Sequence, residues 1–160
     1  MDMTISAREL LRHCLASNAY RAGKVLRDAP ESFANFKAND STRTPVQIVA
    51  HMGDLFDWGL SIAKGKQVWH DSTPLPWTQE IARFFDSLKR FDDYLCGDEA
   101  LHCSVEKLFQ GPVADAASHI GQLAMLRRMA DAPIRGENYY QAEISAGRVG
   151  LEQAVPKYEF

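Results

Sequence analysis

The chain is short of several things, and each shortage removes a class of protein. It has three cysteines, Cys14, Cys96 and Cys103, an odd number with no Cys-x-x-Cys spacing. That argues against a disulfide framework and fits reduced thiols in a cytoplasm. Basic residues are not in excess: 18 Lys and Arg stand against 21 Asp and Glu, a net charge of -3. No electrostatic footprint for nucleic acid results. Apolar runs are short and interrupted, so no membrane span is expected. The opening Met1-Asp2-Met3-Thr4-Ile5-Ser6 lacks the basic and apolar regions of a signal peptide, and a cytoplasmic location is expected. Alternating strand patterns, internal repeats and low-complexity tracts are missing too.

What is present is an ordinary globular composition, 46% hydrophobic and 24% charged over 160 residues, which suits a single domain over 1–160. Ser6 and Glu9 form a capping box, predicting a helix over 7–26 with Leu10, Leu11, Cys14, Leu15 and Val25 available for burial. Residues 31–43 read as loop, with Phe33 and Phe36 docked onto the core. Thr44, Pro45 and Gln47 supply an N-cap, an N1 proline and an N3 partner for a second helix reaching about residue 64. Its buried stripe is Ile48, Met52, Leu55 and Ile62, with His51 and Trp58 on one flank. Gly65 ends it, and 66–77, with Pro74 and Pro76, reads as a stiff linker. Ile81, Phe84, Leu88, Phe91 and Leu95 mark a third helix over 78–95. A short turn over 104–109 precedes Gly111-Pro112, and a fourth long helix follows over 113–129, stopped before Pro133. Residues 131–160 should lie over the helices as an irregular C-terminal arm anchored by Tyr139 and Tyr140. These elements predict an all-α fold, a four-helix bundle. At about 3.3–3.6 Å per residue, the linker after Lys64 is long enough to cross the bundle end to end, which permits helices two and three to run parallel.

One stretch of the fourth helix carries chemistry. Asp115, His119, Gln122 and Leu126 recur at spacings of three and four, in one line within the apolar stripe. A carboxylate there needs a basic partner, a hydrogen-bond network or a metal ion. An Asp and a His one turn apart can both reach one metal, and His51 faces inward from the second helix. Two imidazoles and a carboxylate match a catalytic zinc set or the facial triad of non-haem iron, with positions open for water or substrate. Plainer readings stand beside this one: His51 as a core histidine bonded to a carbonyl, and Asp115 as a cap near Gly111-Pro112. Asp54 reads as a carboxylate holding the His51 ring or as a solvated group. Gln122 reads as a hydrogen-bonding neighbour of the site, and Trp58 and Trp77 as core or as a substrate platform. His13, His70 and His102 have no partner spacing. Arg127 and Arg128 read as salt bridges or a subunit contact.

Val46-Gln-Ile-Val-Ala-His51-Met-Gly-Asp54-Leu55, followed by Asp115-Ala-Ala-Ser-His119-Ile-Gly-Gln122-Leu123, resembles the DinB/YfiT-like superfamily of metalloenzymes. The resemblance covers about residues 6–140. It implies an up-down-down-up bundle with a crossover between helices two and three, and a homodimer. It also implies a divalent transition metal, zinc or nickel with iron as another option, held by His51, Asp115 and His119. The commoner family form has His where Asp115 stands, so this chain is similar to the acidic variant of mycothiol-dependent maleylpyruvate isomerases. The implied activity is a thiol-dependent S-transfer or isomerisation of a small electrophile, with a low-molecular-weight thiol as co-substrate. The alternatives are a metal-dependent hydrolase and a non-catalytic, stress-associated dimer that binds a metal or small ligand. No residue names the substrate.

Overall fold

The computed structural model describes residues 4–160, so Met1, Asp2 and Met3, on which the reading of the N-terminus partly rests, lie outside the described residues. Helix α1 spans Ala7–Leu26. Its start is written locally. The Ser6 hydroxyl accepts from the Glu9 N–H at 3.2 Å, and the Glu9 carboxylate accepts from the Ser6 N–H at 3.1 Å. Leu11, Leu15, Ala19, Ala22 and Leu26 recur every three or four residues and are all buried. Leu10, expected inside, lies about 100° round the helix from Leu11 and is 52% exposed. A 3-10 turn over Glu31–Asn35 then seats Phe33 in the core.

Helix α2 spans Pro45–Ala63 and begins on the reciprocal cap of Thr44 and Gln47. Gly65, at φ +78°, follows its end in the left-handed conformation that a side chain disfavours. Helix α3 spans Trp77–Cys96 and buries Phe84, Leu88, Phe91 and Leu95 on one seam. A short helix α4, Val105–Leu108, passes through a π-turn at Phe109–Val113 into helix α5, Ala114–Met129.

That continuity differs from the break expected at Gly111-Pro112. Proline has no N–H to donate and crowds the preceding turn of an α-helix. The wider π-turn accommodates it. Two distant residues support the arrangement. Asn18 Nδ2 donates to the Val113 carbonyl at 3.0 Å. Gly59 leaves space, since a Cβ there would meet Pro112 and Phe91 at 3.0 Å.

The four long helices share one apolar core that includes Leu15, Met52, Phe56, Phe84, Phe91 and Leu123. Both α1 and α2 pack against α3 and α5. Arg12 pairs with Asp92 at 2.9 Å, and the Phe56 ring lies 5.7 Å from Phe84. Arg127 is buried and donates to carbonyls, Val25 at 2.8 Å and Ala132 at 2.5 Å. It therefore closes the end of α1 rather than pairing with a carboxylate. Residues 131–160 form an irregular arm whose one β pairing, among the described residues, is an antiparallel bridge between Glu137 and Glu159. Tyr139 anchors it edge-on against Tyr20, with Arg21 over its ring at 3.8 Å. Tyr140, expected as a second anchor, stands in a turn beside Tyr139 and is 97% exposed. No helix among the described residues is long and apolar enough to cross a membrane.

Candidate metal centre

The Thr44 cap fixes where α2 starts, and with it the face that each later residue presents. Ile48, Met52 and Leu55 go to the core, while His51 sits at the edge of that face, half-buried. The π-turn sets the phase of α5 in the same way. Asp115 and His119 come up one turn apart, facing His51 across the α2–α5 interface. His51 Nε2 lies 3.7 Å from Asp115 Oδ2, and His119 Nε2 lies 3.4 Å from Asp115 Oδ1. The two imidazole rings stand 4.7 Å apart at 87°.

These separations bear on what the group can hold. They exceed the roughly 2.7–3.2 Å of an N–H···O hydrogen bond, so the carboxylate is bonded to neither ring. One donor atom from each of the three residues lies within 4.8 Å of the others. Tetrahedral zinc with bonds of about 2.0–2.2 Å sets its donors roughly 3.3 Å apart, so a small rotation of side chains closes the set. His119 Nδ1 is 2.8 Å from Gln122 Oε1. A carbonyl oxygen only accepts, so Nδ1 donates to it, and Nε2 is the ring nitrogen turned towards Asp115. Burial pushes the His51 imidazole below its ordinary value, and the nearby Arg43 and His119 add to that. Asp115 and Asp54 oppose the shift without cancelling it. A neutral imidazole is the form that ligates. The group of His51, Asp115 and His119 could therefore hold a metal ion.

Asp115 is not a helix cap. The residue before α5, Val113, is already helical, and no side chain caps that end. Asp54 is buried, and its oxygens go elsewhere than to the His51 ring. They accept from the Ser72 N–H at 2.9 Å, the Ser72 hydroxyl at 2.6 Å and Arg83 at 3.1 Å. Arg83 also reaches Glu80 and the Ala50 carbonyl, so the network ties the loop after α2 to α2 and α3. Trp58 is half-buried and meets Trp69 edge-on at 5.8 Å, and Trp69 in turn lies 5.6 Å from the His51 ring. Trp77 belongs to the core, edge-on to Phe33. His13, His70 and His102 lie outside the group, and the three cysteines are free.

Two hollows flank the donors. One, of about 420 Å³, is lined by Asp115, Trp58 and Ser118. The other, of about 600 Å³, reaches His119 and Gln122 and is lined by Arg43. Trp69 and Arg43 escape a reading of the sequence because both stand in irregular segments, where no periodicity assigns a face. An exposed Trp in a loop was the one available signal. Comparison with family models, curated proteins and solved structures finds no match to this chain.

Proposed function

We propose that the chain is a metal-dependent enzyme of the DinB/YfiT-like type, a thiol-dependent transferase or isomerase acting on a small electrophile. The observation that carries this reading is the convergence of His51, Asp115 and His119 without hydrogen bonds among them. The donor set suits zinc or nickel, with iron as another option. When bound, such an ion lowers the pKa of a coordinated thiol or water and supplies a nucleophile at neutral pH.

The chain's own residues have defined tasks around it. His51 and His119 offer ring nitrogens, and the Gln122 carbonyl accepts from His119 Nδ1. Asp115 brings a negative charge that a third imidazole would not, which tempers Lewis acidity and favours a thiol over the less acidic water. Trp69 and Trp58 shield the His51 side. The two hollows support a two-substrate transfer, since each reaches a different donor.

An up-down-down-up bundle with its crossover between α2 and α3 belongs to the same reading. Its support is the order of contacts. Along α2 and α3 the partners advance together, Asp54 with Arg83 and Asp57 with Arg90. Along α2 and α5 they run oppositely, His51 with His119 and Gly59 with Pro112. Free cysteines support a reducing compartment.

The test is cobalt-substituted, untagged protein titrated with a small thiol at millimolar concentration. The expected result is a sulfur-to-cobalt charge-transfer band that disappears in His51→Ala. A spectrum indifferent to thiols, with hydrolysis of simple esters, would move the assignment to a metal hydrolase.

A further inference from the structure

The larger hollow has a composition that a structural defect would not produce. Met125 and Met129, one turn apart on α5, are 58% and 50% exposed and line it together with Leu126 and Ile48. Unbranched, polarisable side chains of this kind adapt to apolar ligands of varied outline. A volume of about 600 Å³ falls within the range of small-molecule sites. The polar lining is Asn39, Thr42, Arg43, His119 and Gln122. His119 and Gln122 bring the wall up to the metal group, and Arg43 is the only formally charged residue in the lining.

Arg43 is an exposed arginine, unlike those that the fold has already engaged. Arg12, Arg83 and Arg90 have aspartates, and Arg127 has carbonyls. Among the described residues no carboxylate lies within ion-pair reach of Arg43, which stands just before the α2 cap and close enough to act on His51. A guanidinium presents a planar fork that matches a carboxylate with two parallel hydrogen bonds. A single cation balances a monoanion. A phosphate dianion calls for a second cation, and the lining offers none.

We propose that this cleft is the seat of the substrate, and that it takes a small molecule with an apolar body and one carboxylate. The carboxylate meets Arg43, the apolar body lies along Met125, Met129 and Ile48, and the far end reaches His119. This names the substrate class for the site described above and rests on that reading only for the chemistry at His119.

Methyl-labelled methionine makes the binding visible without any turnover. Protein treated with chelator is titrated with hexanoate and, separately, with hexanamide. Hexanoate should move the Met125 and Met129 methyl signals and leave the buried Met52 still. Hexanamide should bind about tenfold more weakly or worse. Arg43→Gln should bring hexanoate down to the level of the amide. Acid and amide binding alike, silence of both methyls, or an Arg43→Gln variant that keeps the preference would each overturn the proposal. Repeating the titration with Zn²⁺ separates the two readings. If hexanoate binds but Zn²⁺ does not, the metal assignment alone fails. If Zn²⁺ binds while the methyls ignore hexanoate, the cleft alone fails.

Discussion

Two clusters of ionisable side chains bridge distant parts of this chain, and they are built in opposite ways. At the arm, Glu137 is completely buried and every oxygen is taken. One accepts from the Tyr20 hydroxyl at 2.6 Å and the other from Lys24 at 2.8 Å, while Lys24 also reaches Glu159 at 3.1 Å. At the candidate metal group, Asp115 is 47% exposed and its oxygens stop 3.4 and 3.7 Å short of two imidazoles. The first cluster is closed upon itself. The second presents donors that share a point and satisfy one another poorly. A buried charge must be compensated to exist at all, so saturation marks a structural tie. Convergence without saturation leaves donors that could hold a metal ion.

The largest effect should come from opening the closed cluster. Glu137→Ala leaves the buried Tyr20 hydroxyl without its acceptor and Lys24 with only the partly exposed Glu159, and loss of one member of such a buried pair costs about 3–5 kcal/mol. Urea denaturation measures it. Asp115→Asn in chelated protein should stay within about 0.5 kcal/mol, as surface changes do. Equal losses would erase the distinction between the clusters. The arm also predicts a pH dependence. Burial, then the hydrogen bond to Glu137, raises the Tyr20 phenol above its ordinary 10.0. Burial alone would depress Lys24, but its bonds to Glu137 and Glu159 outweigh that and raise it above 10.5. Both folded values exceed the unfolded ones. Their stabilisation is therefore whole below pH 10 and is lost as pH rises through the folded values. A Tyr20→Phe, Lys24→Met variant should lose that alkaline decline.

Next in size is metal linkage. An ion that binds only the folded chain adds about 2.7 kcal/mol when free at 100 times its Kd. Zn²⁺ should raise the stability of the parent protein by that order and leave the His51→Ala, His119→Ala double variant unmoved. Stoichiometric metal in the double variant places the site elsewhere.

How much of this was legible in the residues depends on the range of the forces involved. The capping boxes at Ser6 and Thr44 are local, and both helices start where those residues predict. Helical periodicity made the shared face of Asp115, His119 and Gln122 legible but misplaced it inside the apolar stripe, because only His119 is buried and Asp115 and Gln122 are exposed. Pro112 was misread because the usual rule for proline is also local, whereas Gly59 and Asn18 decide its fate from other helices. The arm was read as irregular and held by Tyr139 and Tyr140 alone, because nothing near Glu137 in the chain reveals that Lys24 and Tyr20 await it. Trp69 and Arg43 lie in segments where position depends on the whole fold.

A smaller effect sharpens the open side of the comparison. Gln122→Leu removes the acceptor that holds His119 Nδ1–H and frees the ring to choose its tautomer. Loss of such a supporting contact lowers metal affinity by about 10–100-fold. Competition with a chelator of known affinity reads it directly. An unchanged affinity would mean that packing alone orients the ring.

The smallest expected effect concerns Ser72, which joins a saturated network to the unsaturated site. Ser72 gives its hydroxyl to Asp54 at 2.6 Å, and the loop that it pins carries Trp69 to the edge of the His51 ring. Ser72→Ala removes one hydrogen bond and keeps the backbone N–H, so the cost should be about 0.5–1.5 kcal/mol. Pinning should matter more to Trp69 than to the histidine. Acrylamide quenching of indole emission should rise in Ser72→Ala, and the rise should vanish when Trp69→Phe is added. Metal affinity should hold, because the helix and not the loop positions His51. If affinity falls instead, with quenching unchanged, then Asp54 acts on the His51 ring itself. The closed network would then be part of the metal centre rather than the support of its wall.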